Sequence, residues 1–214
     1  PLTSSAASDV YKRQIKENPK LKWVYDNILI PATRFLIATQ DNGVPFDRKR
    51  LYAAQDLMQT QIDDAVSKLY ENPNIAKWEK YNGKDFNPNS TVQLRSLLFD
   101  YLGLQPTGKK TGTGAHSTDA EVLQELAQQS ESEVPGLILD IRQRSKIKNT
   151  YLDKIIPQLD RDSRLRTSFN IHGTTSGRLS SSGKHNMQQL PRDNPAVKGC
   201  IKAAKGHKIV AMDL

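Results

Sequence analysis

The sequence has little of what disulfide-linked, zinc-binding or membrane proteins need. It has a single cysteine, Cys200, so no disulfide can form within the chain, and its 4 histidines are scattered without the spacing of a zinc site. No apolar run approaches the roughly 20 residues that a membrane helix requires. Residues 1–14 lack the apolar stretch of a signal peptide, and we expect them to be a disordered tail. These absences indicate a soluble chain, and the single cysteine is compatible with a reducing compartment.

Charge is plentiful but unevenly distributed along the 214 residues. Residues 141–214 hold 15 of the 31 lysines and arginines but only 5 of the 23 acidic residues, so the whole positive excess lies in the last third of the chain. Such asymmetry favours a polyanionic partner. A solvated basic surface would have the same composition, and charge alone leaves both interpretations open.

The first part of the chain has the spacing and turn residues of helices. Apolar residues over Leu21–Gln40 predict two helices, interrupted at Pro31 because proline lacks a backbone donor. Asp47 is a candidate N-cap for a helix that reaches about residue 70.

Two capping boxes predict further helices. Ser90 with Gln93 precedes an amphipathic pattern, and Thr118 with Glu121 precedes another. Pro135 is placed to begin a long helix that carries several lysines and arginines. The chain is therefore expected to be mainly helical up to about residue 163.

The last fifty residues change in character. Apolar and polar residues alternate after Arg164, and Gly173 and Gly177 follow, which predicts strands and turns. Lys208–Leu214 is a candidate buried strand that carries Asp213 near its end.

Three motifs in this region resemble those of the family A DNA polymerases, the group of bacterial DNA polymerase I and its phage relatives. Thr174–Ser181 is similar to T-x-T-G-R-L-S-S, His185–Pro191 to P-N-L-Q-N-I-P, and Lys208–Asp213 to the strand that ends in a catalytic aspartate. Residues 86–118 resemble the F-N-x-x-S-x-x-Q-L helix and the following loop of the family's thumb. Ser176 stands where the family has threonine, and one extra residue separates the first two motifs.

The resemblance implies a fold and a division of the chain. We expect a mainly α fold with a small β part, in which a helical thumb is followed by the first strands of an α/β palm. The expected segments are a tail at 1–14, a helical lead-in at 15–80, the thumb at 81–163 and the start of the palm at 164–214.

The same resemblance implies which residues contact DNA. Purine N3 and pyrimidine O2 accept hydrogen bonds at nearly the same place in every base pair, so arginine and amide side chains in the minor groove can hold DNA without reading its sequence. Arg142 and Lys146 share a helix face and match the family's R-x-x-x-K motif. The DNA-binding candidates are Arg142, Lys146, Lys148, Ser117, Thr118, Arg178, Ser180, Asn186 and Gln188. For the helix a solvated charged face is the alternative, and for the hairpin a polar surface turn.

Asp213 is the candidate catalytic residue and metal ligand. In the family such an aspartate helps to hold two magnesium ions, one of which activates the primer 3′-hydroxyl. An aspartate at a strand end is, taken alone, more often a cap or turn residue.

The predicted function is therefore that of part of a DNA-directed DNA polymerase, with primer–template DNA as partner, dNTP as substrate of the whole enzyme and Mg²⁺ as cofactor. The fingers and a second catalytic aspartate would follow Leu214, so we expect residues 1–214 alone to be inactive. The alternative is a non-catalytic, sequence-independent DNA-binding module, and a single-subunit RNA polymerase is a weaker third possibility. The resemblance implies a cytoplasmic protein of a bacterium or a phage-infected host, with an organelle as the alternative; no protein partner can be inferred.

Overall fold

The computed structural model describes residues 4–182, 186–191 and 194–210. The chain divides into two compact units: Pro1–Leu51 together with Lys154–Leu214, and Tyr52–Asp153. Helices dominate, and the described strands form only two two-stranded sheets, which confirms the predicted fold class. Among the described helices, none combines the length and the apolar character needed to cross a membrane.

The first unit combines N-terminal helices with short strands from both ends of the chain. Its elements are α1 (Ser4–Glu17), α2 (Pro19–Val24), a π-helical turn (Tyr25–Leu29), α3 (Ile30–Asn42), β1 (Val44–Pro45), a 3₁₀ turn (Ile156–Gln158), β2 (Arg164–Leu165), β3 (Ser168–Asn170), β4 (Ser180–Ser182), a second 3₁₀ turn (Met187–Gln189) and α10 (Pro195–Lys198). Strands β1 and β2 pair antiparallel, as do β3 and β4.

The N-terminal segment differs from its prediction in two ways. Helix α1 occupies most of the segment that was expected to be disordered. Pro31 does not separate two helices, because the chain stays helical through the π-helical turn that precedes it, where Ile30 N–H donates to the carbonyl of Tyr25. Proline lacks an N–H and its ring crowds the carbonyl four residues earlier, and a wider turn relieves that conflict without ending the helix.

Asp47 caps helix α4 (Arg48–Glu71), as predicted. Its Oδ1 accepts hydrogen bonds from the backbone N–H groups of Lys49 at 3.0 Å and Arg50 at 3.3 Å. Its Oδ2 lies 3.1 Å from Nζ of Lys202. The hydrogen bond from Lys202 and those from the helix amides hold the pKa of Asp47 below its usual value. One carboxylate thus fixes the start of α4 against a segment far along the chain.

The second unit is a helical body around one hydrophobic core. Besides most of α4 it contains α5 (Pro73–Asn82), α6 (Thr91–Arg95), a π-helical turn (Ser96–Tyr101), α7 (Ala120–Gln129), α8 (Val134–Lys146), a further π-helical turn (Ile147–Leu152) and the start of α9 (Asp153–Ile155). Leucine and isoleucine side chains of these helices surround Trp78 and Phe86, whose rings meet edge to face at 5.3 Å. Removal of these side chains from water is the main force that holds the unit together.

The first predicted capping box is half formed. Ser90 Oγ accepts from the N–H of Gln93 at 3.3 Å, as expected. The Gln93 side chain reaches past Ser90, and its Oε1 accepts from the N–H of Asn87 at 2.6 Å. The amide therefore fastens the polar turn before α6 as well as the helix itself.

The predicted C-terminal strand is wrong over its described part. Residues 208–210 have no regular structure, and the side chains of Ile209 and Val210 are 61% and 75% exposed. A strand needs a hydrogen-bonded neighbour, and within the described chain no strand pairs with these residues. The rest of that segment, including Asp213, lies outside the described residues.

Candidate nucleic-acid interface

The predicted DNA-binding residues fall into two groups, one in each unit. The hairpin group consists of Arg178, Ser180, Asn186 and Gln188. The helix group consists of Ser117, Thr118, Arg142, Lys146 and Lys148.

The hairpin group is built on strands β3 and β4, which pair in the register Phe169 with Ser181. The hydroxyls of Thr167 and Ser181 lie 2.7 Å apart and tie the base of the hairpin together. At the connection between the strands, a Cβ on Gly173 would lie 2.0 Å from Oγ of Ser180, so a larger residue there would force the Ser180 side chain to move. Ser180 itself is partly buried.

Arg178 lies near the end of that connection. Its side chain is exposed and makes no hydrogen bond or ion pair with the described residues. Its backbone carbonyl, by contrast, accepts a hydrogen bond from Oγ1 of Thr174 at 2.6 Å. A guanidinium on a fastened backbone is suited to bind a ligand, because only the side chain has to be ordered on binding.

The 3₁₀ turn that follows carries the two amide candidates and is bonded to the hairpin. Asn186 Oδ1 accepts from the N–H of Gln188 at 2.9 Å, so Asn186 caps the turn. Gln188 Nε2 donates to the carbonyl of Leu179 at 3.1 Å. The bond from Gln188 links the turn that carries Asn186 and Gln188 to the residue that follows Arg178. Within the described residues, the Nδ2 group of Asn186 and a second N–H on Gln188 have no acceptor.

The helix group is less uniform, because Arg142 has a structural partner. Arg142 is partly buried, and its Nη1 donates to the carbonyl of Thr118 at 2.5 Å. Burial lowers the pKa of the guanidinium from its usual value, although arginine remains charged in proteins. Arg142 thus attaches the loop before α7 to helix α8.

Ser117 and Thr118 form part of the same attachment. Their side chains are only 7% and 6% exposed, and Ser117 Oγ accepts from the N–H of Asp119 at 3.2 Å. Both residues are buried in this structure, so a contact between them and a phosphate stays a prediction.

The two lysines of the group differ in their surroundings. Lys148 lies 3.0 Å from Oδ2 of Asp153, and both side chains are largely shielded from water. Lys146 is exposed and has no partner among the described residues. Of the helix cations in the group, Lys146 is therefore the one most available to an external anion.

An ion cluster that the sequence did not predict holds the loop before α7. Lys109 Nζ lies 2.8 Å from Oδ2 of Asp119 and also bonds the carboxylate of Glu121. Asp119, and not Thr118, caps α7, since its Oδ1 accepts from the N–H of Val122 at 3.0 Å. The hydrogen bond from Lys109 lowers the pKa of Asp119. Asp119 is itself a strong capping residue type, which was the available sequence signal.

The predicted metal ligand cannot be placed, because Asp213 lies outside the described residues. In the part of the chain that is described, no group of three or more histidine, cysteine or acidic side chains is arranged to hold a metal ion. The described residues therefore do not by themselves fit a magnesium site.

Comparison with known proteins identifies the chain's relatives. The family model for DNA polymerase family A matches residues 55–214. The chain is 48% identical over 201 residues to the DNA polymerase of Escherichia phage T5, and 34% identical over 207 residues to the thermostable DNA polymerase I of Thermus thermophilus. Each alignment covers 94% of this chain and 23% of the relative, so the chain spans about a quarter of their length.

A solved structure has a similar fold. It is the POL domain of Pol1 from M. smegmatis in complex with DNA primer-template and dNTP, with a TM-score of 0.74 and 27% sequence identity. The match covers 92% of this chain and 33% of that one. The family resemblance drawn from the motifs is confirmed: because the family model matches most of its residues, this chain belongs to DNA polymerase family A.

Proposed function

We propose that this chain is the part of a DNA-directed DNA polymerase that holds the primer–template duplex. The observation that carries the proposal is the hairpin group, in which Asn186 and Gln188 lie on a turn bonded to the residue after Arg178, and all three retain donors without a partner among the described residues. Membership in DNA polymerase family A, and the primer-template and dNTP in the mycobacterial structure, support DNA and dNTP as partners.

The donors of the hairpin group suit the minor groove. The acceptors there lie at equivalent places in all four base pairs, so donors that meet them recognise a properly paired duplex of any sequence. A polymerase has to tolerate every sequence, and an arginine with two amides supplies donors without a base-specific pattern. The three residues would therefore test the shape of the newly formed duplex.

Lys146 supplies a contact of a different kind. An exposed lysine on a helix attracts phosphate without orientation preference, and binding of this kind weakens as salt rises. Arg142 contributes indirectly, because it fixes the loop that lies beside the helix. We propose that residues 81–163 are the thumb and 164–214 the start of the palm.

Catalysis is the part of the proposal that rests on the family alone. Asp213 would be a magnesium ligand in the whole enzyme, and bound magnesium would stabilise the charge on the transferred phosphoryl group. In a longer polymerase that contains this chain, Asp213→Asn should abolish template-directed primer extension and leave duplex binding intact. Extension at the unchanged rate would exclude the metal role. DNA binding without any extension by the longer wild-type protein would favour a non-catalytic binding module.

DNA binding is tested with fluorescence anisotropy on a labelled primer–template. We expect Arg178→Ala to weaken binding about tenfold, the loss typical of one charged contact to a base edge. Arg161→Ala is the matched control, because Arg161 is equally charged, exposed and without a described partner in the same unit. It should change affinity less than twofold.

Chemically altered DNA locates the contact. A duplex in which 3-deaza purines replace the purines near the primer end lacks the N3 acceptors of the minor groove. Wild-type protein should bind it more weakly than normal DNA, and Arg178→Ala should lose less affinity than wild type on the same replacement, because one of the donors to N3 is already gone. Equal effects of the two arginine substitutions on normal DNA would contradict the proposed site.

A further inference from the structure

The position of Arg178 depends on a turn that β-pairing does not hold. The ladder between β3 and β4 pairs Asn170 with Ser180, Phe169 with Ser181 and Ser168 with Ser182, and it does not reach the residues between Asn170 and Ser180. Arg178 therefore lies in the connection, where backbone freedom would spread its guanidinium over many directions. A site that holds DNA needs that freedom restricted before binding.

Two side chains restrict the backbone at Arg178, one from a residue before it in the sequence and one from a residue after it. Thr174 Oγ1 donates to the carbonyl of Arg178 at 2.6 Å, and Gln188 Nε2 donates to the carbonyl of Leu179 at 3.1 Å. The two consecutive carbonyls that follow the Arg178 Cα are thus each bonded by a side chain. Neither bond belongs to the strand ladder.

Gln188 is itself a candidate DNA contact, but Thr174 is not. Its hydroxyl proton is directed to the Arg178 carbonyl, four residues along the chain, and this bond closes the turn. The neighbouring Thr175 is exposed and makes no hydrogen bond with the described residues. Two adjacent threonines of identical chemistry therefore differ in this bond, and Thr174 is also the less exposed of the two.

We propose that Thr174 is a positioning residue that sets the backbone of Arg178 for its contact with the minor groove of primer–template DNA. The inference rests on the proposed function, since it concerns the same contact. Valine has the shape of threonine without the hydroxyl, and serine keeps the hydroxyl without the methyl group. Thr174→Val therefore removes the bond, Thr174→Ser keeps it, and Thr175→Val is the control at the neighbouring threonine.

The first experiment measures the affinity of each variant for primer–template DNA by anisotropy. Thr174→Val should weaken binding about two- to tenfold, the range that corresponds to one lost hydrogen bond. Thr174→Ser should stay within twofold of wild type, and so should Thr175→Val. Equal affinities of Thr174→Val and Thr175→Val would refute the positioning role.

A double-substitution cycle separates positioning from a general structural role. In an Arg178→Ala background, Thr174→Val should change affinity less than twofold, because the side chain whose position it sets is gone. An unchanged loss in the Arg178→Ala background would overturn the proposal in favour of a merely structural effect.

The outcomes also distinguish this inference from the function on which it rests. If wild-type protein does not bind primer–template, or if Arg178→Ala binds as wild type does, both the proposed function and the role of Thr174 fail. If Arg178→Ala weakens binding and Thr174→Val does not, only the role of Thr174 is refuted.

Discussion

Arg142 and Lys146 share a helix face, yet the structure predicts opposite consequences for their removal. Arg142 is partly buried and donates to the Thr118 carbonyl, whereas Lys146 is exposed and without a described partner. Arg142→Ala should therefore destabilise the second unit. Lys146→Ala should leave its stability unchanged and weaken DNA binding.

The magnitude follows from the bond that is lost. A hydrogen bond from a charged donor contributes about 1.5–3 kcal/mol, and its loss leaves the carbonyl of Thr118 without this partner. We expect Arg142→Ala to lower the free energy of unfolding by about 2 kcal/mol, which corresponds to a fall in thermal midpoint of about 4–8 °C for a protein of this size. Removal of an exposed charge such as Lys146 should stay within about 0.5 kcal/mol.

Tryptophan fluorescence can report on the second unit alone. The chain has 2 tryptophans, an exposed Trp23 in the first unit and a fully buried Trp78 in the core of the second. In a Trp23→Phe background, urea unfolding followed by Trp78 fluorescence gives the free energy of each variant. Equal stability of Arg142→Ala and Lys146→Ala would refute the structural role of Arg142.

Three further predictions concern stability. Gly43→Ala should destabilise the chain by several kcal/mol and more than Gly83→Ala in urea unfolding followed by circular dichroism, which reports on both units. Both glycines have positive φ, but a Cβ at Gly43 would lie 2.9 Å from the Leu165 carbonyl oxygen, whereas at Gly83 it meets open space; equal losses would contradict the close contact. Leu123→Ala should cost about 2–5 kcal/mol by the same assay, since Leu123 is fully buried in the core, and a loss under 1 kcal/mol would show that the site is poorly packed. The lowered pKa of Asp119 stabilises the fold above about pH 4, the unfolded value, and this stabilisation is lost as pH falls through the folded value. Asp119→Asn should flatten that part of the dependence of the unfolding free energy on pH. An unchanged dependence would argue against the bond with Lys109.

Local rules predicted much of the helical structure, because a cap involves residues only a few positions apart. Asp47 and Ser90 cap their helices as expected. The capping prediction failed at Thr118, because the adjacent Asp119 is also a capping residue type and the sequence alone does not show which of the two caps the helix. Arg142 engages the Thr118 carbonyl, and Asp119 takes the cap.

The family was predictable for a different reason. Its motifs lie within a short stretch, and their order carried the family resemblance before any contact was known. The hydrogen bond from Gln188 to Leu179 could not be read from the order of residues alone.

Features that depend on the exact path of the chain were not predictable. Lys148 was a candidate DNA contact, but the π-helical turn Ile147–Leu152 brings Asp153, five residues along the chain, to it. The apolar run at Lys208–Leu214 looked like a buried strand, but a strand forms only where a neighbour pairs with it, and its described residues lack one.

The most direct test of the account is the salt dependence of primer–template binding by wild-type protein and by the double variant Lys146→Ala with Arg178→Ala. Each cation that displaces a counterion contributes about 0.9 to the slope of log affinity against log salt. We predict weaker binding and a slope shallower by about one to two for the double variant, and no such change for Arg161→Ala. Equal affinity and slope for wild type and the double variant would contradict the claim that this chain holds DNA through these residues.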